Sequence, residues 1–251
     1  MIETQKLVAH IEQVFTYLRS DVNNYRAAER IGAGSYLFTA FSGIDFFGSL
    51  GVPESELNDH EKEGRGLLRK SGRGSRWYIR EWMGQIRRQY AELALVNLLY
   101  TDVRCGLVHE GIVKPGLLIG LDHGDFHLRH VVLDGGTRGT SLPSIGVLFV
   151  DTAVFADDFL ASAQVFLKAI KNDDCLSQRA LTRLSEHLEQ AVTDISGLGD
   201  AVEVGPAEFE ELYETSSASP YDPGGCWLHS NLAMEDDATG DKLDAEPLRG
   251  A

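Results

Sequence analysis

The sequence predicts a mainly α-helical bundle with a small antiparallel β insertion between its third and fourth long helices. Apolar residues recur at helical spacing through most of the first 109 positions and again beyond residue 152. Around residues 115–151 they form short runs separated by turn residues instead. Gly, Ser, Pro and acidic residues dominate from about residue 197 onward. We therefore predict one helical domain at 1–197, with a β-hairpin insertion around 115–151, and a largely irregular acidic tail at 198–251.

The first two helices are predicted from different patterns. Residues 3–19 carry one apolar stripe on an otherwise polar surface, which is typical of a helix that packs on one face. Residues 27–50 are rich in glycine and aromatic residues, so a neighbouring helix could approach closely. This helix should end at GVPE (51–54), because proline disfavours helix in the residue before it and has no amide hydrogen. We expect a loop up to about Ser75.

A third helical region is predicted from Arg76 to His109, with a break near Gly84. The segments GLLIGLD (116–122) and FHLRHVVLD (126–134) flank the turn residues HGD, which is typical of a β-hairpin. VLFVD, at 147–151, predicts a third strand.

Two more helices should follow, at about 153–171 and 177–195, the first of them capped by Asp151 or Thr152. We expect Asp158 to face solvent near the start of the first of these helices. His127 is expected to be an exposed hairpin residue, and a metal site that it would share with His123 is the weaker alternative.

Charge is distributed unevenly along the chain. The formal net charge is −15, but residues 200–251 alone contribute −11. Residues 62–90 hold nine Lys and Arg against two Glu, and Trp and Tyr residues are interleaved with them. Such a segment could follow a phosphate backbone, although charge alone favours a solvated helix face with a flexible basic loop. The candidate substrate-binding residues in it are Arg73, Arg76, Arg80, Arg87 and Arg88.

Several features predict a cytoplasmic protein that does not interact with membranes. No apolar run approaches the roughly 20 residues that cross a bilayer. The first 15 residues have neither the basic segment nor the apolar segment of a secretion signal. The three cysteines are widely spaced and odd in number, which favours reduced thiols over disulfides or a zinc site.

The segment LYTDVRCGLVHEG (99–111) places Arg104 and His109 five positions apart. On a regular helix these side chains point about 140° apart, so they converge only if the helix unwinds near Gly106 or ends near Gly111. A second subunit across a two-fold axis could also bring the two residue types together. The alternative is structural: Arg104 forms an ion pair with Asp102 or Glu110, and His109 caps the helix.

This segment resembles the motif helix of the HEPN family (higher eukaryotes and prokaryotes nucleotide-binding), whose signature is R-x-x-x-x-H. The helix SGIDFFGSLG (42–51) and the basic, aromatic RWYIREWMGQIRRQY (76–90) precede it at a fitting distance. The resemblance spans roughly residues 5–171. It implies an all-α bundle, within which the β-hairpin is an insertion.

Membership of this family implies a metal-independent endoribonuclease, often a dimeric toxin or defence effector that needs no cofactor. Arg104 would stabilise charge on the phosphate, and His109 would transfer protons. The products would be a 2′,3′-cyclic phosphate and a 5′-hydroxyl. RNA, a second copy of the chain and an antitoxin or regulatory protein are the implied partners.

Cys105 stands where active members often have a polar residue, at the edge of the implied substrate site. Because a thiol is a weak hydrogen-bond donor, a non-catalytic module that binds nucleotide, RNA or protein is an alternative. A helical protein in which the motif match is accidental is another. A thiol hydrolase based on Cys105 is disfavoured, since no oxyanion donors or orienting residue can be named.

Overall fold

The structure is a computed structural model, and it describes residues 4–28, 32–59, 62, 67–106, 116–133 and 145–196. Within these residues the chain is mainly helical and carries one three-stranded sheet, in agreement with the predicted fold class. The predicted tail at 198–251 lies outside them. The helices are α1 (Thr4–Ala27), α2 (Ala33–Gly51), α3 (Ser71–Tyr78), α4 (Gly84–Ile86), α5 (Leu93–Leu98), α6 (Thr152–Asn172) and α7 (Asp174–Ser196).

The predicted third helical region consists of shorter pieces. A π-helical segment, Ile79–Met83, joins α3 to α4, and a second one, Leu99–Arg104, continues α5. Between α4 and α5 the chain forms a 3-10 turn at Arg88–Ala91. The helical run thus breaks just after Ile86, close to the break predicted at Gly84.

Contrary to the predicted loop, SGRGS at 71–75 forms the first part of α3. Locally its glycines favour a loop, but here they allow two helices to touch. A Cβ atom on Gly48 of α2 would lie 2.4 Å from the carbonyl oxygen of Gly74. Because no side chain fits between them, the backbones of α2 and α3 pack directly on each other.

Aromatic side chains fill the core where α2, α3 and α6 meet. Phe47 of α2 lies 5.6 Å from Phe166 of α6, ring centre to ring centre, and Trp82 lies 5.0 Å from Phe166. Tyr78 joins this cluster, and its hydroxyl is 3.1 Å from that of Ser162, so its polar atom has a partner. These contacts bury the apolar stripes that the sequence pattern predicts.

A buried arginine of α7 caps the C-terminal end of α2. Arg183, with 5% relative exposure, donates from Nη1 to the carbonyl oxygens of Ser49 at 3.1 Å and Val52 at 2.5 Å. It also pairs with Glu54. The guanidinium satisfies carbonyl groups that have no partner within the helix and binds where the helix dipole favours a cation.

The sheet is mixed rather than antiparallel, with strand order β1 (Leu117–Gly120), β3 (Ile145–Asp151), β2 (Arg129–Leu133). β1 is parallel to β3, and β2 is antiparallel to it. The predicted β-hairpin between the first two strands is therefore wrong. The chain between them instead includes a 3-10 turn at Gly124–Phe126 and two residues with positive φ, Asp122 and Leu128. β3, which has the most buried residues of the three strands, takes the central position.

Asp151 joins the sheet to α6. Its carboxylate accepts hydrogen bonds from the backbone N–H groups of Ala153 and Val154, which confirms it as the N-cap. Its second oxygen accepts from the N–H of His123, at 2.6 Å. One carboxylate thus fixes both the start of α6 and the turn after β1.

A buried hydrogen-bonded chain connects this sheet to the bundle. The backbone N–H of Asp151 donates to Nδ1 of His127 at 3.1 Å, so the ring proton of neutral His127 lies on Nε2. Nε2 is 2.9 Å from the hydroxyl of Tyr90, which donates in turn to Asp158 at 3.1 Å. Arg87 closes the chain by donating to Asp158 from Nε at 2.8 Å.

This chain corrects two predictions from the sequence. The His127 side chain is fully buried rather than exposed on a hairpin, and Asp158 has only 7% relative exposure rather than facing solvent. Asp157, the preceding residue in the sequence, is exposed instead, and it forms an ion pair with Arg26. A local pattern could not indicate this, because the partners of Asp158 come from other parts of the chain.

No helix in the described parts of the chain is both long and apolar enough to cross a bilayer.

Replacing Gly48 by Ala should lower the free energy of unfolding by about 1–3 kcal/mol, since the methyl group would push α2 and α3 apart. Gly34→Ala is the matched control in the same helix: its Cβ would meet no atom within 4 Å, so helix propensity should make it neutral or slightly stabilising. Chemical denaturation of both variants checks this. Equal effects at the two positions would contradict the close packing.

Acid should destabilise the fold through His127. Burial lowers the pKa of His127 to about 4, although the negative charge of Asp158 opposes the shift. Between the ordinary pKa of about 6.5 and 4 the unfolded chain binds a proton that the folded chain does not, so stability is lost as the pH falls through this window.

At pH 4.5 the resulting loss should be about 2 kcal/mol relative to pH 7, measured by denaturation at a series of pH values. His127→Gln should remove this component, and His130→Gln, on an exposed strand position, should retain it. An identical pH profile for wild type and His127→Gln would contradict the assignment.

Candidate active site around Arg104

Arg104 ends the π-helical segment Leu99–Arg104 and forms an ion pair with Asp45 of α2. Its Nη2 lies 2.7 Å and its Nε 3.1 Å from Oδ2 of Asp45. The side chains are only 16% and 21% exposed, so neither charge is fully solvated. The ion pair joins α2 to the segment Leu99–Arg104, which together with α5 we call the motif helix. Asp45 and Arg104 are 59 positions apart in the sequence. The alternative partner Asp102 is not the one used, and Glu110 lies outside the described residues.

Ser75 of α3 holds the other oxygen of Asp45. Its hydroxyl donates to Oδ1, while Oδ2 accepts the two hydrogen bonds from Arg104. The close contact of Gly48 with Gly74 brings Ser75 within reach of α2. Three helical segments therefore fix the position of the Asp45 carboxylate, and through it the orientation of the guanidinium.

Tyr100 lies one helical turn before Arg104 and contacts two arginines. The guanidinium carbon of Arg76 is 4.0 Å from the centre of the tyrosine ring, and that of Arg104 is 5.6 Å from it. Gly72 of α3 leaves room for the phenol, since a Cβ there would come within 3.1 Å of the Tyr100 hydroxyl. Arg76, Tyr100, Arg104, Asp45 and Ser75 form one half-buried group, which we call the Arg104 cluster.

The Arg104 cluster carries a surplus of positive charge. Burial by itself lowers the pKa of Arg104, but the hydrogen bonds and charge of Asp45 outweigh burial and leave that pKa raised. Burial also raises the pKa of Tyr100, so its hydroxyl stays neutral and keeps its proton. The cluster thus holds two guanidinium groups and one carboxylate, and this surplus favours an anionic ligand.

Asp45 occupies one edge of the Arg104 guanidinium, and Cys105 also interacts with this side chain. Asp45 accepts from Nε and Nη2, which form one edge of the planar group. The edge formed by Nη1 and the second hydrogen of Nη2 is not used by Asp45. A guanidinium edge of this kind matches two oxygens of a phosphate.

The other predicted site residues divide into groups. Cys105 is a partly buried free thiol next to Arg104. His109 lies outside the described residues, so its role stays a prediction. Arg80 pairs with Glu56 and Glu81, and Arg87 belongs to the buried chain with Asp158. Arg73 donates to the carbonyl oxygen of Glu56, and Arg88 is exposed.

Of the five candidate arginines of the basic segment, Arg76 is the one that shares a contact with Arg104, through the ring of Tyr100. Sequence reasoning missed Asp45, Ser75 and Tyr100. Asp45 does carry a signal, because it is the single charged residue of an otherwise apolar, glycine-rich helix. Such a charge needs a partner when the helix packs.

No metal site is formed by the described residues, since no group of three or more His, Cys, Asp or Glu side chains could hold an ion there. In particular, His123 and His127 do not form the metal site weighed as an alternative.

Comparison of the chain with protein-family models, with curated proteins and with solved structures gives no significant match.

Removing the charge of Asp45 should destabilise the protein. Asp45→Asn leaves Arg104 half-buried without a counter-charge, and we expect a loss of about 1–3 kcal/mol in the free energy of unfolding. Asp157→Asn, which breaks the exposed pair with Arg26, is the control and should cost less than about 1 kcal/mol.

The double variant Asp45→Asn/Arg104→Gln should lose less than the sum of the two single variants, which denaturation measures as a coupling energy. Strict additivity would mean that the ion pair does not contribute to stability.

Proposed function

We propose that the chain is a cytoplasmic, metal-independent endoribonuclease of HEPN type, with Arg104 and His109 as its catalytic residues. The observation that carries this proposal is the Arg104 cluster: a guanidinium on the motif helix that is held by Asp45, with one edge not used by Asp45. Positive charge in excess of the local carboxylate supports an anionic substrate.

The proposed reaction needs no external nucleophile. The ribose 2′-oxygen attacks the adjacent phosphorus, and the bond from phosphorus to the 5′-oxygen breaks. One His109 removes the 2′ proton, and a second one, from another copy of the chain, protonates the 5′-oxygen as it leaves. Arg104 stabilises the negative charge that builds up on the phosphoryl oxygens. The products are a 2′,3′-cyclic phosphate and a 5′-hydroxyl.

A homodimer is part of this proposal, because one chain supplies one histidine and the reaction uses both an acid and a base. A toxin or defence role, controlled by an antitoxin or another regulatory protein, follows from the family resemblance. Cys105 beside Arg104 lines the same site.

A second candidate is a non-catalytic module that binds RNA, nucleotide or protein. The observation that favours it is the Arg104–Asp45 ion pair itself, since a partner within the same chain already neutralises the motif arginine, which is only 16% exposed. Measuring RNA cleavage distinguishes the endoribonuclease from the non-catalytic binding module.

The decisive experiment incubates single-stranded RNA with purified protein in EDTA. Wild type should produce fragments that end in a 2′,3′-cyclic phosphate. Arg104→Ala and His109→Ala should each reduce the rate by at least about 100-fold, the effect typical of losing charge stabilisation or proton transfer. Arg19→Ala, at an exposed position of α1, is the control for charge removal and should cleave at the wild-type rate.

Circular dichroism should establish that all variants are folded. If wild type cleaves no RNA, or if both motif variants cleave at its rate, the catalytic proposal is wrong. RNA binding without cleavage would favour the second candidate.

A further inference from the structure

We propose that Arg76, held against the ring of Tyr100, binds a phosphate of single-stranded RNA next to the one at Arg104. This inference rests on the proposed function, and it deepens that proposal by naming the residue that holds the RNA backbone beside the reacting group. The site consists of Arg76, Tyr100 and Arg104 on α3 and the motif helix.

Arg76 is held by stacking rather than by an ion pair. Its guanidinium carbon lies 4.0 Å from the centre of the Tyr100 ring, and its Nε is buried with no hydrogen-bond partner. Its Nη1 makes a long contact, 3.4 Å, with the carbonyl oxygen of Gly72. Within the described residues no carboxylate pairs with it. The side chain as a whole is partly exposed, but a buried N–H group without a partner is unfavourable, so its presence here calls for an explanation.

An RNA phosphate provides that explanation. A guanidinium stacked on an aromatic face keeps its in-plane N–H groups available, and these match phosphate oxygens. Tyr100 joins the two sites, because Arg104 approaches the same ring at 5.6 Å. The charges of the two arginines and Asp45 sum to one net positive charge, which a bound phosphate would neutralise.

The neighbouring arginines do not fit this role as well. Arg80 contacts two carboxylates, and Arg87 is engaged with buried Asp158, so their charges are already neutralised. Neither shares a contact with Arg104. Among these three arginines, Arg76 is the one that shares a contact with Arg104, so backbone binding at the reacting site should depend on it.

The test uses RNA with 2′-O-methyl riboses, which lacks the attacking hydroxyl and so cannot be cleaved by the proposed reaction. Fluorescence anisotropy at several salt concentrations gives the dissociation constant and its salt dependence. Arg76→Gln should weaken binding about tenfold and reduce the slope of log affinity against log salt by about 0.7, the value for one phosphate contact on a single strand.

Arg19→Gln is the matched control, because Arg19 also lies over an aromatic ring, that of Phe15, at 5.6 Å. It should bind RNA with the wild-type affinity and salt slope. Equal affinity and slope for Arg76→Gln and wild type would overturn the inference, and so would absence of RNA binding by the wild type.

A measurement on the wild type covers the case in which Arg76→Gln fails to fold. The NMR signal of the buried Arg76 Nε–H group, assigned by its loss in Arg76→Lys, should shift on saturation with the same RNA. A signal that stays in place at saturation would also overturn the inference.

Failure of the two proposals gives different results. If wild type cleaves RNA and Arg76→Gln binds RNA as wild type does, the phosphate site at Arg76 is contradicted and the nuclease proposal is retained. If RNA binding depends on Arg76 but unmodified RNA is not cleaved, the nuclease proposal is contradicted and the phosphate site at Arg76 is retained.

Discussion

The ion pair between Asp45 and Arg104 is the constraint on which the site depends. A helix as apolar as α2 can pack on three sides only if its one charge meets an opposite charge at the boundary of the core. Arg104 provides that charge, and Ser75 satisfies the second carboxylate oxygen. Ser75 comes within reach of Asp45 because Gly48 and Gly74 let α2 and α3 touch. Gly74, which the sequence pattern places in a loop, therefore helps to fix the carboxylate that orients Arg104.

Two polar clusters interrupt the apolar interior, and they differ in how completely their charges are matched. In the chain from His127 through Tyr90 to Asp158 and Arg87, each ionised group faces an opposite charge and each ring nitrogen has a partner. Such a closed network connects sheet to bundle and leaves nothing for a ligand. The Arg104 cluster has more positive than negative charge and one buried N–H without a partner. This imbalance, rather than the motif alone, makes it the candidate functional site.

The sequence patterns that succeeded are the local ones. The apolar stripes of α1, α2, α6 and α7 and the cap at Asp151 each depend on residues within a few positions of one another, and the structure has them close to where they were predicted. The errors involve distant partners. The predicted hairpin was wrong because β3 pairs with β1 along one edge and with β2 along the other, so β1 and β2 are not neighbours. The burial of Asp158 depends on partners that lie 31 to 71 positions away in the sequence. The partner of Arg104 was missed for the same reason, since it lies 59 positions upstream.

The pairing of Arg104 with Asp45 is compatible with catalysis because of which guanidinium edge it uses. A carboxylate bound at Nε and Nη2 holds the side chain in one rotamer, so little conformational entropy remains to be lost when a phosphate arrives at the other edge. Asp45 also reduces the net positive charge at this position, and in the proposed mechanism this weakens binding of the phosphate before it reacts. Arg76 offsets that loss by adding a charge that no carboxylate of the described chain neutralises. In the proposed mechanism the two arginines therefore have different roles: Arg104, which is fixed by Asp45, stabilises the reacting phosphate, and Arg76, which lies on Tyr100, binds the adjacent RNA backbone.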